Sequence, residues 1–294
     1  MTDQATKQFH SYRLGLLLVT ASAVAWSTAG LFTRIIPLDT WTILVWRGVF
    51  GAIGVLVVIL ALQGKTGLSD FKRLGWPGWA FAIISAIGMV CFIFSLRITT
   101  VAHVSIIYAT VPLVAAGLAW IVMRERPKSS AIIASLCALV GVGVMVGFGI
   151  EGNLFGDFLA FMMTLVMAIM MVISRQYQDI PIMPAACLSA VLSGLAAIPM
   201  SEGLGVSTPD LGMLALFGFV NSALGLSLFT LGARMLPAIE TALIGALDAP
   251  LAPIWVLLIF MEIPSGATLL GGVIVFVAVG GHLIGMNLKQ KKST

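Results

Sequence analysis

Residues 97–127 read RITTVAHVSIIYATVPLVAAGLAWIVMRERP, and residues 234–264 read RMLPAIETALIGALDAPLAPIWVLLIFMEIP. Laid over one another without a gap, Arg97 meets Arg234, Glu125 meets Glu262 and Pro127 meets Pro264. Between each arginine and its glutamate lies one apolar helix that carries internal proline. Earlier in each half, Gly15, Leu18 and Arg34 stand against Gly156, Leu159 and Arg175. The matched residues fall at equivalent ends of equivalent apolar runs. Five runs fill each half, and an odd number turns the second half upside down relative to the first. Inverted repeats of this kind place a solute site near the membrane midplane, where the halves meet.

Composition demands a lipid-facing exterior. Of 294 residues, 60% are hydrophobic and 10% charged, with a mean hydropathy of +1.09. A water-soluble domain of this length has no means of hiding so much apolar surface. The formal charge of +4 is scattered and gives no nucleic-acid footprint. Cys91, Cys137 and Cys187 all lie in apolar runs and read as small buried hydrophobes, without a disulfide frame. A bilayer core about 30 Å thick needs about 20 helical residues. That ruler predicts an all-α integral membrane protein with ten spans: Leu14–Ile36, Thr40–Leu62, Trp76–Leu96, Thr99–Met123, Ser129–Gly149, Leu154–Tyr177, Pro181–Ser201, Leu211–Gly232, Leu236–Met261 and Ser265–Leu288. Residues 1–13 form a cytoplasmic tail, 14–149 and 154–288 the two five-helix repeats, and 289–294 a second cytoplasmic tail. Strands are excluded, because the runs are long and do not alternate.

Charge fixes the expected orientation. With the N-terminus inside, Lys7, Arg13, Lys65, Lys72, Arg73, Arg124, Arg126, Lys128, Arg175, Arg234, Lys289, Lys291 and Lys292 are cytoplasmic, 13 of the 16 basic residues. Arg34 and Arg97 fall outside, and Arg47 lies within a helix. This bias places the chain in a bacterial inner membrane with both termini in the cytoplasm. Trp41, Trp76 and Trp79 are expected to anchor span ends at the interface.

The stretch from Phe92 through Arg97 and His103, past Pro112 to Glu125-Arg126-Pro127, resembles the hallmark of the EamA-type drug/metabolite transporters. The second copy, from Leu228 through Arg234 and Pro250 to Glu262-Ile263-Pro264, is similar to it. So are Trp26-Ser27-Thr28 and Arg47 in the second span. The resemblance covers nearly the whole chain. It implies ten helices, a central cavity, and export of amino acids or related metabolites. The overall shape is similar to that of the YddG-type exporters of aromatic and other amino acids. It also puts the helices of Trp26, Phe92 and Met163 around the centre, as walls for substrate. His103 and Tyr108 stand where the family has small residues.

Polar groups deep in a span are the candidates for solute contact, because facing lipid is costly for them. Pro112 frees the carbonyl of Tyr108, and Pro250 and Pro253 free those of Ala246 and Ala249. Such carbonyls need protein or cavity water, which predicts kinks in the fourth and ninth helices beside a cavity. Tyr108 offers a flat ring with a hydroxyl, and His103 a donor and an acceptor. Arg47 either grips a substrate carboxylate or pairs with Asp248 or Asp39. Asp248, mid-way along the ninth helix, is a proton-coupling or amine-binding group, or a structural aspartate beside the kink. Asn221 offers an amide to substrate or to a neighbouring helix. Glu240 follows Pro237 in the first turn of the ninth helix, where negative charge suits the dipole. Gly143 and Gly147 have the spacing for close packing of the fifth and tenth helices.

These residues point to an exporter of amino acids, aromatic and other neutral ones, or of related small metabolites. It works by alternating access, as a monomer in the bilayer, because two repeats in one chain remove the need for a dimer. Efflux of aromatic cations is the alternative of the same class. A membrane-embedded enzyme is the alternative of another. It is disfavoured because His10, His103 and His282 are far apart in sequence, with no HExxH and no carboxylate cluster. No cofactor or metal is called for.

Overall fold

A computed structural model describes residues 2–99, 101–147, 153–261 and 263–291. Every regular element among them is helical. Ten helices are long and apolar enough to cross a membrane: His10–Ile35, Thr40–Gln63, Gly75–Ile98, His103–Met123, Ser129–Val146, Leu154–Gln176, Ile182–Met200, Thr208–Ala233, Ala238–Phe260 and Gly266–Gly285. We number them first to tenth. The chain is an all-α membrane protein of ten spans. The first helix reaches back to Thr2, ahead of its apolar part. Glu262, used in reading the sequence, lies outside the described residues, as do 292–294.

Local chemistry sets the helix ends. Asp39 caps the second helix, accepting from the amides of Trp41 (2.9 Å) and Thr42 (3.0 Å). Asn153 caps the sixth in the same way, from Phe155 and Gly156. These side-chain oxygens satisfy amides that have no partner within their own helix.

The fourth and ninth helices each break once. The fourth runs Val101–Tyr108 and resumes over Val111–Met123. The ninth runs Ala238–Gly245 and resumes over Asp248–Phe260. At the breaks, Thr110 N donates to Ile107 O (3.1 Å) and Leu247 N to Ile244 O (3.0 Å). Both are tight turns of the 3₁₀ kind. Pro112 and Pro250 each sit in the first turn of the resumed helix, where a missing N–H does no harm. Pro253 falls inside the unbroken segment Asp248–Phe260. The first helix breaks at Thr28, between Ser27 and Ala29. The eighth is wound as a π-helix over Gly218–Leu226.

Packing follows a twofold scheme. Third meets sixth as eighth meets first; second meets eighth as seventh meets third; fourth meets sixth as ninth meets first. Second meets seventh, fourth meets ninth and fifth meets tenth directly. Adding five to each helix number returns the same set of these pairs. Two of the direct contacts are glycine on backbone. A Cβ on Gly48 would lie 2.7 Å from Gly194 Cα, and one on Gly141 would lie 2.8 Å from Gly271 O. The fifth and tenth helices therefore meet through Gly141. Gly147, expected to share that role, instead ends its helix at φ 79°.

Candidate functional site

Trp26, Arg47 and Asn221 come together from the first, second and eighth helices. Arg47 Nη1 donates to Asn221 Oδ1 (3.3 Å), and Nη2 contacts Met89 Sδ (3.0 Å). The guanidinium also stands 5.7 Å from the centre of the Phe217 ring. Asn221 Nδ2 donates to the carbonyls of Ala25 (3.4 Å) and Trp26 (3.5 Å), and Trp26 Nε1 donates to Asn221 O (3.0 Å). Asn221 lies within the π-wound stretch of the eighth helix.

Arg47 has no carboxylate within ion-pair distance among the described residues. The expected pairing with Asp39 or Asp248 is absent, because Asp39 is committed to its own helix end and Asp248 lies by Tyr108. Arg47 Nε is buried and has no acceptor. Arg47 is half-buried, and a guanidinium met by one amide oxygen and a thioether keeps most of its charge uncompensated.

Tyr108 and Asp248 form a second polar point. Tyr108 is the last residue before the break in the fourth helix, and Asp248 the first after the break in the ninth. They lie close enough to interact electrostatically. Asp248 also accepts from the amide of Ala249, in the first turn of its segment. Seven residues on, Trp255 Nε1 donates to Ser27 Oγ (2.8 Å), beside the break in the first helix. Trp26 and Tyr108 pack on one apolar cluster that contains Phe229, and the Trp26 and Phe229 ring centres are 4.8 Å apart.

The remaining candidates lie elsewhere. His103 Nδ1 is 2.9 Å from Asp157 Oδ2, at the start of the sixth helix. Met163 is buried on that helix, and its neighbour Thr164 donates to Ile107 O (3.4 Å). Phe92 is half-buried on the third helix. Trp41 is buried, stacked obliquely on Phe94 and covered by Arg97, so it packs within the bundle while Trp76 and Trp79 stay exposed.

Glu240 was legible only as a helix-end charge, yet it is 1% exposed and linked to the first and tenth helices and to the turn ahead of the fifth. Tyr12 Oη donates to its Oε2 (2.7 Å). Lys128 Nζ and His282 Nε2 stand 3.6 and 3.9 Å from its Oε1. A cavity of about 40 Å³ adjoins it, bounded by Glu125, Pro127, Lys128 and Pro237.

Residues 13–147 match the EamA-like transporter family. The first half of the chain is thus similar to a family of membrane transporters. No curated protein matches the sequence. One solved structure, described as the crystal structure of a protein, aligns over 90% of this chain and 95% of its own at a TM-score of 0.77. Its 19% identity makes that a likeness of fold.

Proposed function

We propose that this chain exports small metabolites, with aromatic and other neutral amino acids as its substrates, by alternating access between two inverted five-helix repeats. The family domain in the first half supports transport of a small solute. The observation that carries the amino-acid reading is Arg47, half-buried with neutral partners and a buried, unfilled Nε. A substrate carboxylate supplies the missing anion by a two-pronged hydrogen bond. Asp248 and Tyr108, at the facing breaks, offer an anion and a ring to the ammonium group and side chain. Trp26, Phe92 and Met163 provide adaptable apolar wall, and His103 lies at the approach to it. The broken fourth and ninth helices support a centre where freed carbonyls meet a hydrated solute.

The protein works as a monomer in a bacterial inner membrane, with both termini in the cytoplasm, where the basic loops lie. Flux runs down the substrate gradient. Proton exchange through Asp248 is the alternative, and an Asp248→Asn variant that keeps both the rate and the pH dependence of the wild type removes it. A cationic solute is disfavoured, because Arg47 repels it. The test is uptake of a panel of labelled amino acids into liposomes holding the pure protein, with and without a pH gradient. Saturable uptake of neutral amino acids is expected; no uptake of any of them ends the reading.

A further inference from the structure

His103 stands six residues after Arg97, and Glu240 six residues after Arg234. They are therefore equivalent in the two halves. Each lies on the short arm ahead of a helix break, Val101–Tyr108 or Ala238–Gly245. Each arm is fastened to the first helix of the other half: His103 to Asp157 (2.9 Å), and Glu240 to Tyr12 (2.7 Å). The seats beside these bonds correspond as well. A Cβ on Gly156 would lie 2.7 Å from Thr99 Cβ, and one on Gly15 would lie 3.0 Å from Leu236 Cγ. Gly15 matches Gly156, and Leu236 follows Arg234 as Thr99 follows Arg97. The two contacts lie at opposite ends of the bundle, because the equivalent helix starts in an upturned half face the other way.

We propose that these are two gate locks, Tyr12–Glu240 closing one mouth of the transport path and His103–Asp157 closing the other. This rests on the transport reading. A short arm ahead of a break swings about it without disturbing the longer segment behind. Its free end needs a fastening that is strong when made and can be undone. A hydrogen bond to a carboxylate out of water meets both needs. The locks are unequal. Glu240 is sealed and also faces Lys128 and His282; Asp157 also accepts from Thr99 Oγ1 (2.7 Å), but the side chains of His103 and Asp157 are each 23% exposed. The Tyr12 mouth is therefore the more firmly closed in this conformation. Under the positive-inside orientation it is the cytoplasmic mouth.

The test follows each arm separately. Cys91, Cys137 and Cys187 are replaced by Ala, and one thiol is introduced by Ala242→Cys or Ser105→Cys. Its rate of modification by a small water-soluble maleimide is then read. Tyr12→Phe is expected to raise the rate at position 242 by roughly tenfold to a hundredfold, the population shift of one lost hydrogen bond to a charged group, and to leave position 105 unchanged. Asp157→Asn should do the reverse. Glu240→Gln, which keeps the side chain's shape, should repeat the effect of Tyr12→Phe. Equal changes at both thiols, or none at either, would overturn the locks. Amino-acid flux is measured on the same preparations. A wild type that moves no solute sinks the transport reading, while the labelling still reports whether each arm is held as described.

Discussion

Arg124 and Met261 close the fourth and ninth helices with the same left-handed turn, at φ 57° and 56°. Their amides donate to Trp120 O (3.1 Å) and Leu257 O (3.0 Å), one full turn back. Neither is glycine, and side chains larger than hydrogen are disfavoured in this region. The chain adopts it twice because each helix must end before a proline that follows three residues later, Pro127 or Pro264.

Met261→Gly should therefore stabilise the protein. Met261 is 79% exposed and its side chain contributes little packing. Removing Cβ from a left-handed position recovers about 1 kcal/mol, less some unfolded-chain entropy. Thermal denaturation in detergent should show a higher midpoint. A lower one would mean that the turn is not strained.

Gly271→Ala should loosen the contact between the fifth and tenth helices. Its new methyl would collide with Gly141 O and Met145 N, which are backbone atoms with little freedom to move. The expected cost is about 1–3 kcal/mol, read as a fall in thermal midpoint. Gly280→Ala, with open space around it, is the control and should keep or slightly raise the midpoint.

Gly225→Ala tests the cluster around Arg47. A Cβ there would lie 2.6 Å from Trp26 Nε1. The indole must move, and its bond to Asn221 O is lost. Transport should fall several-fold, on the order of the 1 kcal/mol carried by one hydrogen bond. Unchanged flux would remove Trp26 from the site.

Asp39 links stability to pH. Burial raises its carboxyl, but hydrogen bonds from the Thr42 side chain and from the amides of Thr42, Trp41 and Glu202 outweigh burial and hold it below the usual range. A lowered carboxyl contributes stability that is present above the unfolded value and is lost as pH falls through the folded one. Asp39→Ala should thus cost about 1 kcal/mol at neutral pH, as lost caps do. The two midpoints should converge in acid. A constant gap down to low pH would contradict the capping role.

Apolar run length and the one-directional spread of basic residues carried the ten spans into view from sequence, because both follow from the thickness and dielectric of the bilayer. Pro112 and Pro250 mark where two of the helices divide, since a proline ring acts within its own turn. What sequence concealed was pairing across the bundle. Glu240 looked like a helix-end charge because its partners are Tyr12, Lys128 and His282, scattered along the chain. Its signal was there to be found: the gapless overlay that joins Arg97 to Arg234 also sets Glu240 on His103. Arg47 was visible as a cation within a span, but its actual partner, Asn221, lies 174 residues away on the eighth helix. Asp39 was a plausible counter-charge until two backbone amides claimed it.

The most direct test compares flux of a labelled neutral aromatic amino acid with that of its decarboxylated amine, in liposomes carrying the wild type or Arg47→Ala. If Arg47 receives the substrate carboxylate, the wild type carries the amino acid saturably and not the amine, and Arg47→Ala, folded as judged by gel filtration, loses the amino-acid flux. Equal transport of the amine by the wild type, or full amino-acid flux in Arg47→Ala, would contradict it.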